Sequence, residues 1–306
     1  MRAPRPFLSL SLSLSLTLSL ALAAAACGGS EPASVPPKLD IPVIPPPKPP
    51  APAHPAPASS GSSAGAALPP VRPEAAKLPV PAAIQAVVDA PDRTDDDKKL
   101  DAGRHPGELL AFLALPAGAR VAEIGAGGGY TAELLARDVG PKGKVWAQNN
   151  KFILEKFADK PLSARLAKPV NKNVVRVEAD FDSPLPPDAK DLDAVLVNLF
   201  YHDTVWMNAD RDKMNKAVFA ALKRGGEYVI VDHSSVEGRG TADVKTLHRI
   251  DELAVIHEVE RAGFHHVATA DFLRNPRDTR DWNDSPGAAG ERRGTSDRFV
   301  LKFVRP

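Results

Sequence analysis

The stretch Val121-Ala122-Glu123-Ile124-Gly125-Ala126-Gly127-Gly128-Gly129-Tyr130 constrains this chain more than any other. It begins as a short apolar strand and runs into a helical pattern opening near Thr131, so the glycines form the turn of a strand–loop–helix unit. Glycine there lets the backbone turn sharply and approach a ligand closely, while the helix start presents unpaired N–H groups. Strand and helix signals alternate on either side of it. Strands are expected at 119–124, 144–149, 174–179, 192–199 and 227–232, and helices at 106–115, 130–138, 151–167, 208–223 and 243–262. Near-continuous apolar strands separated by helices predict a parallel sheet covered on both faces. Segments 265–272 and 298–304 are two more strands with no helix between them, so they must pair as an antiparallel unit at one edge.

The part of the chain that carries this pattern is shorter than 306 residues. Residues 31–81 hold 17 of the 31 prolines, and 27–81 are mostly Pro, Ala, Ser and Gly. Such a segment buries too little apolar surface to offset its ordering entropy, so we expect a disordered tether, up to roughly 170 Å long if fully extended. Before it, Arg2 and Arg5 flank an apolar Ser-Leu run ending near Ala26, the pattern of a secretory signal peptide over 1–26. The only cysteine follows in Ala24-Ala25-Ala26-Cys27-Gly28-Gly29-Ser30, which resembles the lipobox of bacterial lipoproteins. That resemblance implies lipidation of Cys27 and a lipid anchor on the periplasmic side of the outer membrane, although Ala24 stands where Leu is usual. An ordinary signal-peptidase site with an incidental Cys is the other reading. The lone cysteine excludes a disulfide framework within one chain. The globular region is 82–306, with 33 basic and 35 acidic residues; that balance gives no basic face for nucleic acid.

What the glycine loop binds is a matter of spacing. A dinucleotide fingerprint would need a third glycine where Tyr130 stands, and a P-loop would need Gly-Lys-Ser/Thr, which is absent. Glu-x-Gly-x-Gly-x-Gly, matched at Glu123, Gly125, Gly127 and Gly129, resembles the S-adenosylmethionine loop of class I methyltransferases. Tyr201-His202-Asp203, Val231-Asp232-His233, Leu247-His248-Arg249-Ile250-Asp251 and the terminal Asp297-Arg298-Phe299-Val300 further resemble a bacterial group of exported class I methyltransferases over residues 100–306. The resemblance implies a Rossmann-like α/β fold, a mostly parallel seven-stranded sheet with an antiparallel last strand and helices on both faces. It also implies S-adenosylmethionine as cofactor, held by Glu123, the three glycines and Tyr130, with Asp180 near the adenine and Asn198 at the end of the fourth strand. Asn149 stands where these enzymes place an acidic residue for the ribose hydroxyls, which removes a charge-assisted hydrogen bond.

Methyl transfer needs alignment with the acceptor and often a base. His202 is the first candidate, with Asp203 and Tyr201 beside it as catalytic residues; His233 and His248, the latter with Asp251 three residues along the same expected helix, come next. Each histidine could equally serve only the packing of its element. His202, Asp203, Asp232 and His233 could converge on a metal at the strand ends, but Mg²⁺ prefers oxygen ligands and His suits Zn²⁺, so the mixture indicates neither ion and no metal is expected. Within the long polar segment 273–297, Trp282 and Arg274 either cap the acceptor pocket or belong to a mobile loop. The expected function is methyl transfer to a small molecule or an envelope component. The rival is a non-catalytic envelope scaffold that keeps the fold.

Overall fold

The computed structural model describes residues 79–306; the expected signal peptide, Cys27 and nearly all of the expected tether lie outside the described residues. Three helices precede the sheet: α1 (Ala82–Val88), α2 (Asp95–Arg104) and α3 (Pro106–Leu113). The sheet then follows as β1 (Arg120–Ile124), β2 (Lys144–Asn149), β3 (Val174–Glu178), β4 (Leu192–Asn198), β5 (Leu222–His233), β6 (His265–Ala270) and β7 (Arg298–Val304). Their spatial order is β3-β2-β1-β4-β5-β7-β6. β1 to β5 pair in parallel, and β7 runs antiparallel between β5 and β6. This is the doubly wound, Rossmann-like arrangement expected from the pattern, with the order reversing between β1 and β4.

The central strands are buried on both faces because alternate side chains enter two different cores. Val121, Val145, Ala147, Leu196 and Val231 pack with α3 and with α4 (Tyr130–Val139). Ala122, Ile124, Trp146, Val197 and Ile230 pack on the other side with α8 (Arg211–Ala221) and α10 (Glu252–Arg261). Both helices start on an aspartate cap: Asp210 accepts from the Lys213 amide, and Asp251 from the Leu253 amide.

Three expected elements differ in form. The helix at 151–167 is α5 (Lys151–Ile153), a π-turn at Leu154–Ala158 and α6 (Asp159–Leu166). The expected 243–262 helix is broken into α9 (Val244–Leu247) and α10, with His248 between them in the left-handed region at φ 58°. The break has a tertiary cause: Ile250 donates to the His233 carbonyl and accepts from Ser235, extending the end of β5 by one strand-like residue. Asp251 therefore begins a helix and does not share one with His248. β5 starts five residues earlier than expected, at Leu222, through an irregularity opposite Leu192/Ala194. α2 was not anticipated, although Thr94 followed by Asp95, Asp96 and Asp97 is an N-terminal helix signal, and the Thr94 hydroxyl does accept from the Asp97 amide.

Candidate active site

The three glycines of the loop are glycine for three different reasons. Gly125 is at φ 71°, and a Cβ there would lie 2.2 Å from Cδ1 of Phe200, so this position is closed by the protein's own ring. Gly129 faces Leu162 and Arg165 of α6, at 2.9 and 3.0 Å from a built Cβ, and serves helix packing. Only Gly127, at φ 54°, has nothing within 4 Å of such an atom. The space a ligand could use is therefore over Gly127. The loop is held from beneath by β2: Gln148 Oε1 accepts from Gly125 N, Asn149 Oδ1 accepts from Gly127 N at 2.8 Å, and Asn149 Nδ2 donates to Gly127 O at 3.1 Å. The amide of Asn149 thus brackets one residue of the loop, pairing with both the N–H and the C=O of Gly127, a task that needs both a donor and an acceptor. A carboxylate could not perform it, which accounts for the residue type at this position.

Glu123 is enclosed beneath the loop, and its Oε2 has no hydrogen-bond partner. Burial pushes its pKa up to about 7, only partly opposed by Thr131, the Ala132 amide and the guanidinium of Arg104. A buried acid raised above its ordinary value of 4.5 makes the folded state bind an extra proton between those two pH values. The contribution of Glu123 to stability is then greatest below about pH 4.5, falls as pH rises to about 7, and is flat above. Glu123→Gln is expected to remove that slope: in urea titrations it should be more stable than the native protein by about 3 kcal/mol at pH 8 and equal to it near pH 4. An unchanged slope would show that Glu123 is ionised throughout. Arg104 is the nearby cation. It lies 4.5 Å over the ring of Tyr130, whose hydroxyl donates to Asp101 Oδ1 at 2.5 Å. Burial lowers the pKa of Arg104. Sequence reasoning missed Arg104 and Asp101, because they reach the loop from α2 and not from any motif.

At the carboxyl ends of β4 and β5 the histidines meet. Asp232, fully buried at the end of β5, accepts from His202 N at 2.7 Å and from His233 N at 2.8 Å, and its Oδ1 lies 2.6 Å from His202 Nδ1. The ring of His202 is 4.0 Å from that of His248 and 5.5 Å from that of His233. Asp203, in α7 (Tyr201–Trp206), places Oδ1 3.3 Å from His202 Nε2 and 3.8 Å from His248 Nδ1, and accepts from Trp206 Nε1 at 2.6 Å. His233 is held by Asp284 and by Ser296 Oγ. Burial disfavours the charged form of His202, but Asp232 and Asp203 together outweigh it and push its pKa up to about 10. Burial and the neighbouring His202 pull His248 down to about 4. His202 therefore favours its protonated form while nothing occupies Nε2, and in that state it is not poised as the base expected of it.

Tyr201 is a second correction. It turns away from the histidines into the core, donating to Glu258 Oε2 and accepting from Asn215 Nδ2, both at 2.9 Å, and it is 0% exposed. It anchors α7 to α8 and α10, which fixes the orientation of His202 and Asp203. Asn198 donates to Thr131 Oγ1 and ties β4 to the start of α4, whereas Asp180 stands exposed beyond β3.

A cavity of about 780 Å³ opens above these strand ends. Asp203, His233 and His248 line one side; Leu100 and Arg104 of α2, with Phe157 and Trp206, line another. Segment 273–297 does cap it, through Asp284, Pro286, Arg293 and Gly294. Trp282 and Arg274 take no part: Trp282 stacks on Arg249 at 4.7 Å, and Arg274 pairs with Glu252 at 2.6 Å. No spacing in the sequence would have found Asp284, which depends wholly on how this segment folds back.

The sequence model of the protein-L-isoaspartate(D-aspartate) O-methyltransferase (PCMT) family matches residues 79–268. No curated protein matches the chain in sequence. Among solved structures, a SAM dependent methyltransferase from Aquifex aeolicus is similar at 18% identity and TM-score 0.48, over 70% of this chain and 100% of its own. The glycopeptide N-methyltransferase MtfA, complexed with sinefungin, is similar at 17% identity and TM-score 0.46, over 67% of this chain and 87% of its own. Fibrillarin from Aeropyrum pernix, with bound S-adenosyl-L-methionine, is similar at 15% identity and TM-score 0.42, over 67% of this chain and 74% of its own. The family match takes in most of the described residues, from the entry to α1 through β5 and into β6, including the glycine loop and all three clustered histidines, and the chain belongs to the protein-L-isoaspartate(D-aspartate) O-methyltransferase family.

Proposed function

We propose that this protein is an S-adenosylmethionine-dependent methyltransferase whose acceptor, a small molecule or an envelope component, enters the cavity above β4 and β5. The observation that carries the reading is the open cradle at Gly127 beside a buried Glu123 with one unpartnered oxygen. S-adenosylmethionine, when bound, supplies a methyl group made electrophilic by the sulfonium. The chain's own residues fit such a ligand. Gly127 admits close approach of the ligand to the main chain. Glu123 and Arg104 are complementary to the ammonium and carboxylate of a methionine end, and an ammonium beside Glu123 would favour its ionised form. The α2 and 284–294 walls hold water away from the strand ends, and Asp203 and His248 face the acceptor side.

Phe200 over Gly125 and the commitment of Asn149 to Gly127 favour a second reading, a scaffold that binds no cofactor. Calorimetric titration of the purified protein with S-adenosylmethionine separates the two. Heat with a stoichiometry of one supports the enzyme; a folded sample giving none at millimolar ligand supports the scaffold. Gly127→Asp is expected to weaken binding about 100-fold or more, or about 2.7 kcal/mol. Stability should fall by only about 1 kcal/mol or less, because the new Cβ meets open space and Asp tolerates a left-handed backbone better than most residues. A variant that folds and still binds as tightly would refute the placement of the ligand.

A further inference from the structure

We propose that His202, Asp203 and His248 form a binding site for a zinc-class divalent transition-metal ion, with an open coordination position facing the cavity. One ligand atom from each residue lies within 4.8 Å of the other two. The two contacts to Asp203 Oδ1, 3.3 Å from His202 Nε2 and 3.8 Å from His248 Nδ1, lie near the edge of a small coordination tetrahedron. Bonds of about 2.0–2.1 Å would give an edge of roughly 3.4 Å. Closing the set needs His248 Nδ1 to approach Asp203 Oδ1 more closely than its present 3.8 Å.

Three further features point to an ion here and not to a packing cluster. His202 Nε2 is fully buried without a hydrogen-bond partner, since the 3.3 Å approach of Asp203 lacks hydrogen-bond geometry; an orphaned buried nitrogen calls for a reason. Its other nitrogen is held at 2.6 Å by Asp232, itself fixed by the His202 and His233 amides. A carboxylate behind a ligating imidazole is the usual device for choosing the tautomer and aiming the free nitrogen at a metal. Trp206 Nε1 orients the Asp203 carboxylate in the same way. Finally, His248 holds a left-handed backbone, at φ 58°, that ends α9 and brings its ring against His202.

The donor set names the ion class. Two imidazole nitrogens and one carboxylate suit Zn²⁺, Co²⁺ or Fe²⁺, whereas Mg²⁺ and Ca²⁺ require oxygen. His233 is not counted as a ligand because the donor atoms that lie mutually close belong to His202, Asp203 and His248, and His233 is not among them. Asp203 and His248 line the cavity, so the remaining position is open to water or to a ligand oxygen, which the ion would acidify. The site stands whether or not the chain transfers methyl groups.

The test uses untagged, chelator-stripped protein titrated with Co²⁺ and followed by its visible d–d bands, with Zn²⁺ and Mg²⁺ as competitors. The expected result is one equivalent of Co²⁺, displaced by Zn²⁺ and not by a large excess of Mg²⁺. His248→Ala and Asp203→Ala should each abolish the bands, and Asp232→Asn should weaken binding by about 10–100-fold. His257→Ala, at an exposed position on α10, should leave them intact. No bands from a native protein that is folded by circular dichroism would overturn the proposal. So would bands unchanged in His248→Ala, loss of the bands in His257→Ala, or displacement by Mg²⁺. If Asp203→Ala does not fold, the native titration and His248→Ala still decide.

Discussion

Arg249→Met should lower the unfolding free energy by about 3 kcal/mol, a loss typical of leaving one member of a buried ion pair behind. Arg249 and Asp278 both have 0% side-chain exposure and lie 2.7 Å apart. The guanidinium also donates to the Ser234 carbonyl at 3.1 Å and the Trp282 carbonyl at 3.2 Å, with the Trp282 ring stacked on it. Methionine can fill the volume but leaves Asp278 charged and enclosed. Three donors would remain to that carboxylate, the amides of Asp297 and Arg280 and the indole of Trp282, so the loss falls at the lower end of the range for such pairs. Adding Asp278→Asn should recover about 1 kcal/mol or more by removing the stranded charge. Urea denaturation of the three proteins measures both values. A single variant within 0.5 kcal/mol of native, or a double variant no more stable than the single, would contradict this account. The consequence reaches the site, because Arg249 pins the segment that delivers Asp284 to His233.

A second large effect is expected at Gly125. Gly125→Ala adds a carbon 2.2 Å from Phe200 Cδ1 and 2.3 Å from Cγ, far inside van der Waals contact, on a backbone at φ 71°. Left-handed strain for alanine is about 1 kcal/mol and overpacking typically adds 1–3, so about 3 kcal/mol is expected in total. The two parts separate in a double-mutant cycle. With Phe200→Ala in the background the clash is gone, and Gly125→Ala should cost only about 1 kcal/mol. Equal costs in both backgrounds would mean that the ring does not cover this glycine. Phe200 also rests on Phe181, with ring centroids 5.1 Å apart, so the cover over Gly125 is part of the core and not a loose flap.

Much of the architecture was legible beforehand because it rests on local pattern. Apolar runs at 119–124, 144–149 and 192–199 have the composition of strands buried on two faces, and β1, β2 and β4 occupy them closely. The absence of a helix between 265–272 and 298–304 predicted the antiparallel pair, and β7 lies beside β6 accordingly. The failures share one cause. His248 was placed within a helix because 243–262 has a helical pattern, but pairing of Ile250 with the end of β5 outweighs local propensity and breaks it. Tyr201 was grouped with its sequence neighbours His202 and Asp203. On a helix, consecutive residues point in different directions, and Tyr201 faces the core.

For this protein, the order of apolar runs and the Glu123-to-Gly129 spacing were enough to determine a doubly wound sheet with a glycine turn after its first strand, since both follow from periodicity and backbone freedom. The three-histidine cluster, the supporting carboxylates Asp232 and Asp284, the reach of Arg104 toward Glu123 and the assignment of only Gly127 to open space were decided by tertiary structure. The physical reason is that these contacts join residues 15 to 75 positions apart, whose meeting depends on where each strand ends and how each loop folds back, and no local preference records that.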